Sequence, residues 1–191
     1  MLPLLEQPAI RKRAHSMSVE AYHVLGEMGM LSEQVELLNG VIVDKMPRSP
    51  LHILICRRLV EMLRALLLQG FDCRQEQPLT FLRSEPEPDI AVVRGSFEDF
   101  GNGHPTTAEL IIEVSVSTEA SDRAKAEIYA EAGVKEYWIV LPEQRRIEVF
   151  QNPVGAIYTQ HTVSEAGATV TSAVLDRFSV NLNELFAEAK A

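Results

Sequence analysis

Residues 109–141 constrain the fold more than any other part of this chain. "ELIIEVSV" has the length and the β-branched, apolar content of a buried strand. Ala120–Ala132 follows as a helix, with Ser117 or Thr118 placed to cap it and Gly133 to end it. "EYWIVL" is then a second strand. Strand, helix and strand in that order allow a right-handed crossover between parallel neighbours, so the chain needs a sheet with a helix across it. The first strand also carries an anomaly. Glu113 stands among Leu110, Ile111, Ile112, Val114 and Val116. An ionised carboxylate left alone in a buried strand is heavily penalised, so it needs a partner, a proton or a metal. The competing reading is a half-exposed strand. Alternation puts Glu113 on the face of Glu109, Ile111 and Ser115, opposite Leu110, Ile112, Val114 and Val116.

Other segments fill in the architecture. "SVEAYHVLGEM", from Ser18 to Met28, reads as a short helix capped by Ser18, with Glu20 at the positive end of its dipole. Asn39-Gly40, between the apolar runs of Glu33–Met46, is a hairpin turn, since both residues tolerate positive φ. Pro50–Gln69 repeats Leu51, Leu54, Ile55, Leu59, Met62, Leu63 and Leu66 at helical spacing, with Pro50 to start it and Gly70 to end it. "FDCRQEQPLTFL" predicts one or two short strands, and Ile90–Val93 a buried one. Gly95–Thr107 reads as a polar loop. After Leu141, Pro142 begins a turn into "RRIEVF"; Asn152-Pro153 and Gly155 mark another, before the strand "AIYTQHTV". A last strand pair and a short helix near Leu182–Ala189 complete the reading. The expectation is a mixed sheet with flanking helices, in the α/β or α+β class. Residues 1–16 read as a loose leader and 17–191 as a single domain.

Composition excludes some functions. With 191 residues, 46% hydrophobic and 24% charged, the chain can bury a core without disulfide or metal staples. Cys56 and Cys73 stand alone in their segments, in neither a disulfide framework nor a zinc-ligand spacing, which suits a cytoplasmic protein. The start has one short apolar patch ahead of its basic cluster, the reverse of a signal peptide. No run approaches the ~18 apolar residues that a membrane span requires. A net charge of −9 disfavours strong non-specific nucleic-acid binding. Arg57, Arg58, Arg64 and Arg74, or Arg123 with Lys125, could still form a local basic patch; scattered solvated charge is the alternative.

Besides Glu113, four positions carry chemical interest. Asp89 follows Pro86 and Pro88, which restrict the approach to the strand after it. It is either a held functional carboxylate or a turn aspartate bonded to backbone amides. Lys125 shares a helix face with Asp122 and Tyr129 and could reach back to the end of the Glu113 strand, or pair with Asp122 at the surface. Glu36 lies in the hairpin, with a solvent-facing alternative; His52, early in the long helix, either joins a site or packs. Two carboxylates on adjacent strands repel by about 4 kcal/mol at ~4 Å and an effective dielectric near ~20. A divalent cation removes that repulsion, and oxygen donors suit Mg²⁺ or Mn²⁺. A nearby lysine can stabilise a negative transition state or orient a nucleophilic water, a combination suited to phosphodiester hydrolysis.

"PD" at Pro88-Asp89, then "EVS" at Glu113-Val114-Ser115, resembles the PD-(D/E)xK nuclease pattern. The ordered set "VELLNG", "SPLHILI", "PEPDIAVV", "LIIEVSVST", "DRAKAEIYAEAGVKEYWIV" and "IEVF" resembles the Uma-type family of restriction-endonuclease-like proteins over about residues 17–151. That resemblance implies a restriction-endonuclease-like fold and a metal-dependent site that cleaves DNA. It implies Asp89 and Glu113 as ligands of Mg²⁺ or Mn²⁺, with the Val114 carbonyl as a third. Ser115 stands where the nuclease motif has lysine; the matching lysine is Lys125, on the following helix. Glu36 matches an early acidic position, and Asp122 and Tyr129 match supporting positions around Lys125. Leu141 departs from the aspartate common in the family's "YWIVDP". A homodimer fits the resemblance, since cutting two strands calls for two sites. A non-catalytic nuclease-fold binding or regulatory module is the rival expectation, and a hydrolase of another phosphoester a third.

Overall fold

In chain order the computed structural model, which describes residues 7–11, 13–66 and 70–188, forms α1 (Pro8–Arg11), α2 (Val19–Glu27), β1 (Val35–Leu38), β2 (Val41–Asp44), α3 (Pro50–Leu66), β3 (Phe71–Gln75) and β4 (Ile90–Arg94). A 3-10 turn at Phe97–Phe100 precedes β5 (Leu110–Val114), α4 (Glu119–Glu131), β6 (Glu136–Leu141), β7 (Arg146–Val154) and β8 (Ile157–Ser164). β9 (Thr169–Thr171), β10 (Ser179–Asn181) and α5 (Leu182–Leu185) close the order. The central sheet runs β3-β4-β5-β6-β7-β8. Only β5 and β6 pair in parallel, across the α4 crossover; every other neighbouring pair in it is antiparallel.

Both faces of this sheet are covered. On one, Ile90, Val92, Leu110, Ile112, Val114, Trp138 and Val140 meet Ile55, Leu59 and Leu63 of α3, together with Phe178, Val180 and Leu185. On the other, Ala91, Val93, Ile111, Tyr137 and Ile139 meet Ile128 and Tyr129 of α4 and the loop residues Leu79 and Phe81. Alternation therefore sends Leu110, Ile112 and Val114 to the α3 side, and Ile111 and Glu113 to the α4 side. Glu113 is buried because its face is covered, and the half-exposed strand is not what forms.

The hairpin turn is where the sequence puts it, with φ of 49° at Asn39 and 76° at Gly40. A side chain at Gly40 would collide with Ser16 and the Met17 backbone, whose N–H donates to the Gly40 carbonyl at 2.9 Å. Ser18 caps α2 through a 3.2 Å bond from the Ala21 N–H. Residues 67–69, the end of the expected long helix, and Ala189 lie outside the described residues. The segment after β3 holds no second strand; Glu85 makes only a single bridge, to Leu37 of β1.

The turn expected at Asn152-Pro153 and Gly155 forms at Gly155 and not at Asn152-Pro153, because β7 runs on to Val154 before the chain reverses. β6 ends against Gln151, so past that point β7 has β8 alone as neighbour. A proline without an N–H is tolerated on such a free edge. The last helix, α5, is one turn long, capped by the Asn181 side chain.

Candidate active site

Local register builds the centre of the site. Ile90 pairs with Ile112 across β4 and β5, so Asp89, one step before β4, falls beside Glu113. The two are cross-tied. The Asp89 N–H donates to Glu113 Oε2 at 3.2 Å, and the Val114 N–H donates to Asp89 Oδ2 at 2.7 Å. α4 then returns over this face. Lys125 and Tyr129, four residues apart, both reach Glu113 Oε1, the ammonium at 3.2 Å and the phenol at 2.7 Å. Lys125 Nζ also lies 2.9 Å from Glu36 Oε1, while Glu36 Oε2 accepts the Glu87 N–H at 3.2 Å. From α3, His52 Nε2 lies 3.0 Å from Asp89 Oδ2, and the carboxylate places the proton on that nitrogen.

Every sequence-derived site residue thus gathers in one place. Glu36, Asp89, Glu113, Lys125, His52, Asp122 and Val114 line a single cleft of about 140 Å³, with Tyr129 buried behind Glu113. Two of the competing readings fall away. Glu36 does not face solvent, because the hairpin folds onto the site. Lys125 is not a surface partner of Asp122; it is buried between Glu36 and Glu113. Asp122 instead accepts from the Thr118 hydroxyl at 2.5 Å.

Charge in the cleft is unbalanced. Burial raises the Glu113 carboxyl most; Lys125 opposes the rise, and Asp89, Asp122 and Glu36 add to it, leaving it well above the ordinary carboxylate range. Burial likewise raises Asp122, against the pull of the Thr118 hydroxyl and Lys125. Burial pulls the Lys125 ammonium down, but Glu113 and Glu36 outweigh it and hold it charged. Lys125 thus faces Glu36, Glu113 and Asp122, and Asp89 adds a fourth carboxylate beside Glu113. Oxygen donors in excess negative charge are the donor set of a hard divalent cation, so Asp89 and Glu113 fit Mg²⁺ or Mn²⁺.

A second set is also close. His52, Cys56 and Asp89 bring ligand-type atoms within 4.8 Å of one another. Cys56 Sγ, however, is nearly equidistant from the two ring nitrogens of His52, at 3.7 and 3.8 Å. The in-plane lone-pair directions of those nitrogens diverge, so the sulfur lies on neither axis and packs against the ring. Burial, reinforced by Asp89, also raises the Cys56 thiol far above its ordinary range. The thiolate needed for metal ligation is disfavoured.

Sequence reasoning missed several residues that shape the cleft. Lys45 and Arg48, on the β2–α3 connection, line its wall and pair with Glu87 at 2.8 Å and Glu76 at 2.9 Å. Their signal was present in "DKMPRSP", two cations between the hairpin and the long helix. Apart from Arg64, the arginines considered from sequence for a basic patch are engaged elsewhere. Arg58 caps the Leu185 and Ala187 carbonyls, Arg74 is buried over the Phe100 ring, Arg57 pairs with Glu61, and Arg123 pairs with Glu119 and Glu148. No helix among the described residues is long and apolar enough to cross a membrane.

Comparison with known proteins bears on the fold and the family. The fold is similar to the crystal structure of a "putative nuclease belonging to DUF820" from Anabaena variabilis, with a TM-score of 0.70 and 19% identity over 85% of this chain and 97% of that one. A looser similarity, with a TM-score of 0.40 and 16% identity, covers 65% of this chain and 15% of the type IIG restriction endonuclease BpuSI, too little to argue from. No curated protein matches the sequence. The profile of the Uma2 family, described as "Putative restriction endonuclease", matches residues 20–183. The chain therefore belongs to the Uma2 restriction-endonuclease-like family, and its mixed sheet with flanking helices is that of a nuclease fold.

Proposed function

We propose that this protein is a Mg²⁺- or Mn²⁺-dependent endonuclease that hydrolyses DNA phosphodiester bonds. The observation that supports it most is the convergence of Asp89 and Glu113, cross-tied at the base of a cleft, with the Lys125 ammonium 3.2 Å from Glu113. Asp89 and Glu113 would hold the ion, with the Val114 carbonyl as a third oxygen. When bound, the ion polarises a phosphoryl oxygen and makes a water acidic enough to attack near neutral pH. Lys125, kept charged by its two carboxylates, donates hydrogen bonds toward the cleft and offsets negative charge on the phosphoryl group. Glu36 holds Lys125 and can orient the attacking water. Tyr129 fixes Glu113, Asp122 adds negative charge beside Lys125, and His52 fixes the Asp89 carboxylate. Cutting both strands calls for two sites, so the reading includes a homodimer, checked by sedimentation. A cytoplasmic setting fits the two unbridged cysteines.

One observation favours a second reading, a non-catalytic nuclease-fold binding or regulatory module. Glu113 is already satisfied by Lys125, Tyr129 and the Asp89 N–H, in a chain of net charge −9. Calorimetry separates the two. Mn²⁺ should bind the wild type and fail to bind Asp89→Asn or Glu113→Gln. Lys125→Ala should keep the metal and lose DNA cutting. Absence of Mn²⁺ uptake by the wild type, with and without DNA, would sink the metal-dependent reading.

A further inference from the structure

The carboxylates lining the cleft are Glu36, Asp44, Glu87, Asp89, Glu113 and Asp122, against three cations, Lys45, Arg48 and Lys125. A polyanion can enter such a cleft only if cations at its wall meet the phosphates. Lys125 lies too deep for that wall contact and is left to the reacting phosphoryl group, because its side chain is 9% exposed and held by Glu36 and Glu113. Lys45 and Arg48 are placed differently. Their side chains are 17% and 40% exposed, and both lie on the connection between β2 and α3. Among the described residues each pairs with a single carboxylate, Glu87 for Lys45 and Glu76 for Arg48, on the segment between β3 and β4. A lysine has three donors and an arginine five, so pairing leaves most of their N–H groups for a ligand. Pro47 between them limits the backbone freedom of the connection. The cleft is also lined by Ser117, Thr118 and Ser121, neutral hydroxyl residues that add no repulsion.

We propose that Lys45 and Arg48 are the residues through which the cleft grips the phosphate backbone of its DNA substrate, with Glu87 and Glu76 as internal counter-ions that compete with the phosphates. This rests on the nuclease reading of the same site and names its substrate contacts. The plain alternative is that the two ion pairs only staple the β2–α3 connection to the body of the fold.

Opposite signs separate these ideas. If the pair is a staple, Arg48→Gln and Glu76→Gln break the same contact and act alike. If Arg48 binds phosphate, Arg48→Gln weakens DNA binding, while Glu76→Gln frees the guanidinium and strengthens it. The probe is a short fluorescein-labelled DNA duplex in Ca²⁺, followed by anisotropy over a series of KCl concentrations. Each lost phosphate contact should reduce the slope of log affinity against log salt by about 0.9. Lys45→Gln and Arg48→Gln should each do so and weaken binding several-fold at low salt, with unchanged Mn²⁺ binding by calorimetry. Wild-type slopes in both variants, or the same change in Arg48→Gln and Glu76→Gln, would overturn the proposal and leave the nuclease reading standing. A wild type that binds the duplex in no salt condition would overturn both.

Discussion

Lys125 is the cation buried between Glu36 and Glu113, so its removal leaves two buried carboxylates without their shared cation. Breaking a buried pair in this way costs about 3–5 kcal/mol. Urea unfolding of metal-free Lys125→Ala should show a loss in that range, and Mn²⁺ should return part of it by replacing the missing charge. Glu113 makes stability depend on pH. Its folded carboxyl is raised, chiefly by burial, above the value it has in the unfolded chain. The folded state therefore binds the proton more tightly. The stability this contributes is full below the unfolded value and is lost as pH rises through the folded one. Metal-free wild type should thus lose stability from about pH 4.5 to about pH 8 and level off above it, while Glu113→Gln, which has no proton to lose there, should show a flatter profile. Thermal melts across that range check it; equal slopes in the two proteins would remove Glu113 as the cause. The sequence already marked Glu113 as anomalous, since a carboxylate in an apolar run demands a partner. Which partner it takes was not legible there, because Lys125 and Tyr129 reach it only after α4 folds back over the sheet.

At the scale of elements, the β5–α4–β6 unit was legible from end to end, because strand and helix periodicities differ and Gly133, at φ 72°, marks the stop. The β7–β8 hairpin was legible too, with its turn at Gly155, but the length of β7 was not. Asn152-Pro153 is a turn signal in isolation, and whether proline breaks a strand depends on how many neighbours that strand has. β6 and the β9–β10 pair are joined by a contact that was equally invisible in sequence. Glu136 is wholly buried and accepts bonds from the Trp138 indole, the Gln151 amide, the Ser172 hydroxyl and the Ala173 N–H. Glu136→Leu strips the acceptor from all four donors, and each one left buried without a partner costs about 1–3 kcal/mol. The expected result is a loss of at least ~2 kcal/mol in urea unfolding, with Mn²⁺ affinity unchanged because Glu136 lies on the opposite face of the sheet from Glu113. A matching loss of Mn²⁺ binding would show that this contact also shapes the site.

For the whole molecule, a cation that binds only the folded state must stabilise it. At about a hundred times its dissociation constant, Mn²⁺ should add roughly 2.7 kcal/mol and raise the melting temperature of the wild type. Asp89→Asn should show no such rise. A shift of equal size in that variant would place the ion elsewhere. The sequence by itself determined the mixed α/β plan, the hairpin, the parallel crossover and the residue types of the site, because periodicity, turn chemistry and local steric limits act over a few neighbours. The resemblance in "PEPDIAVV" and "LIIEVSVST" supplied the candidate ligands. Only the tertiary structure decided that Glu36 is buried on Lys125, that His52 holds Asp89, that Cys56 packs rather than ligates, and that Lys45 and Arg48 are the more exposed cations of the cleft. Those outcomes depend on which surfaces cover one another, and burial and charge pairing between segments distant in sequence exist only once the hairpin, α3 and α4 have closed around the sheet.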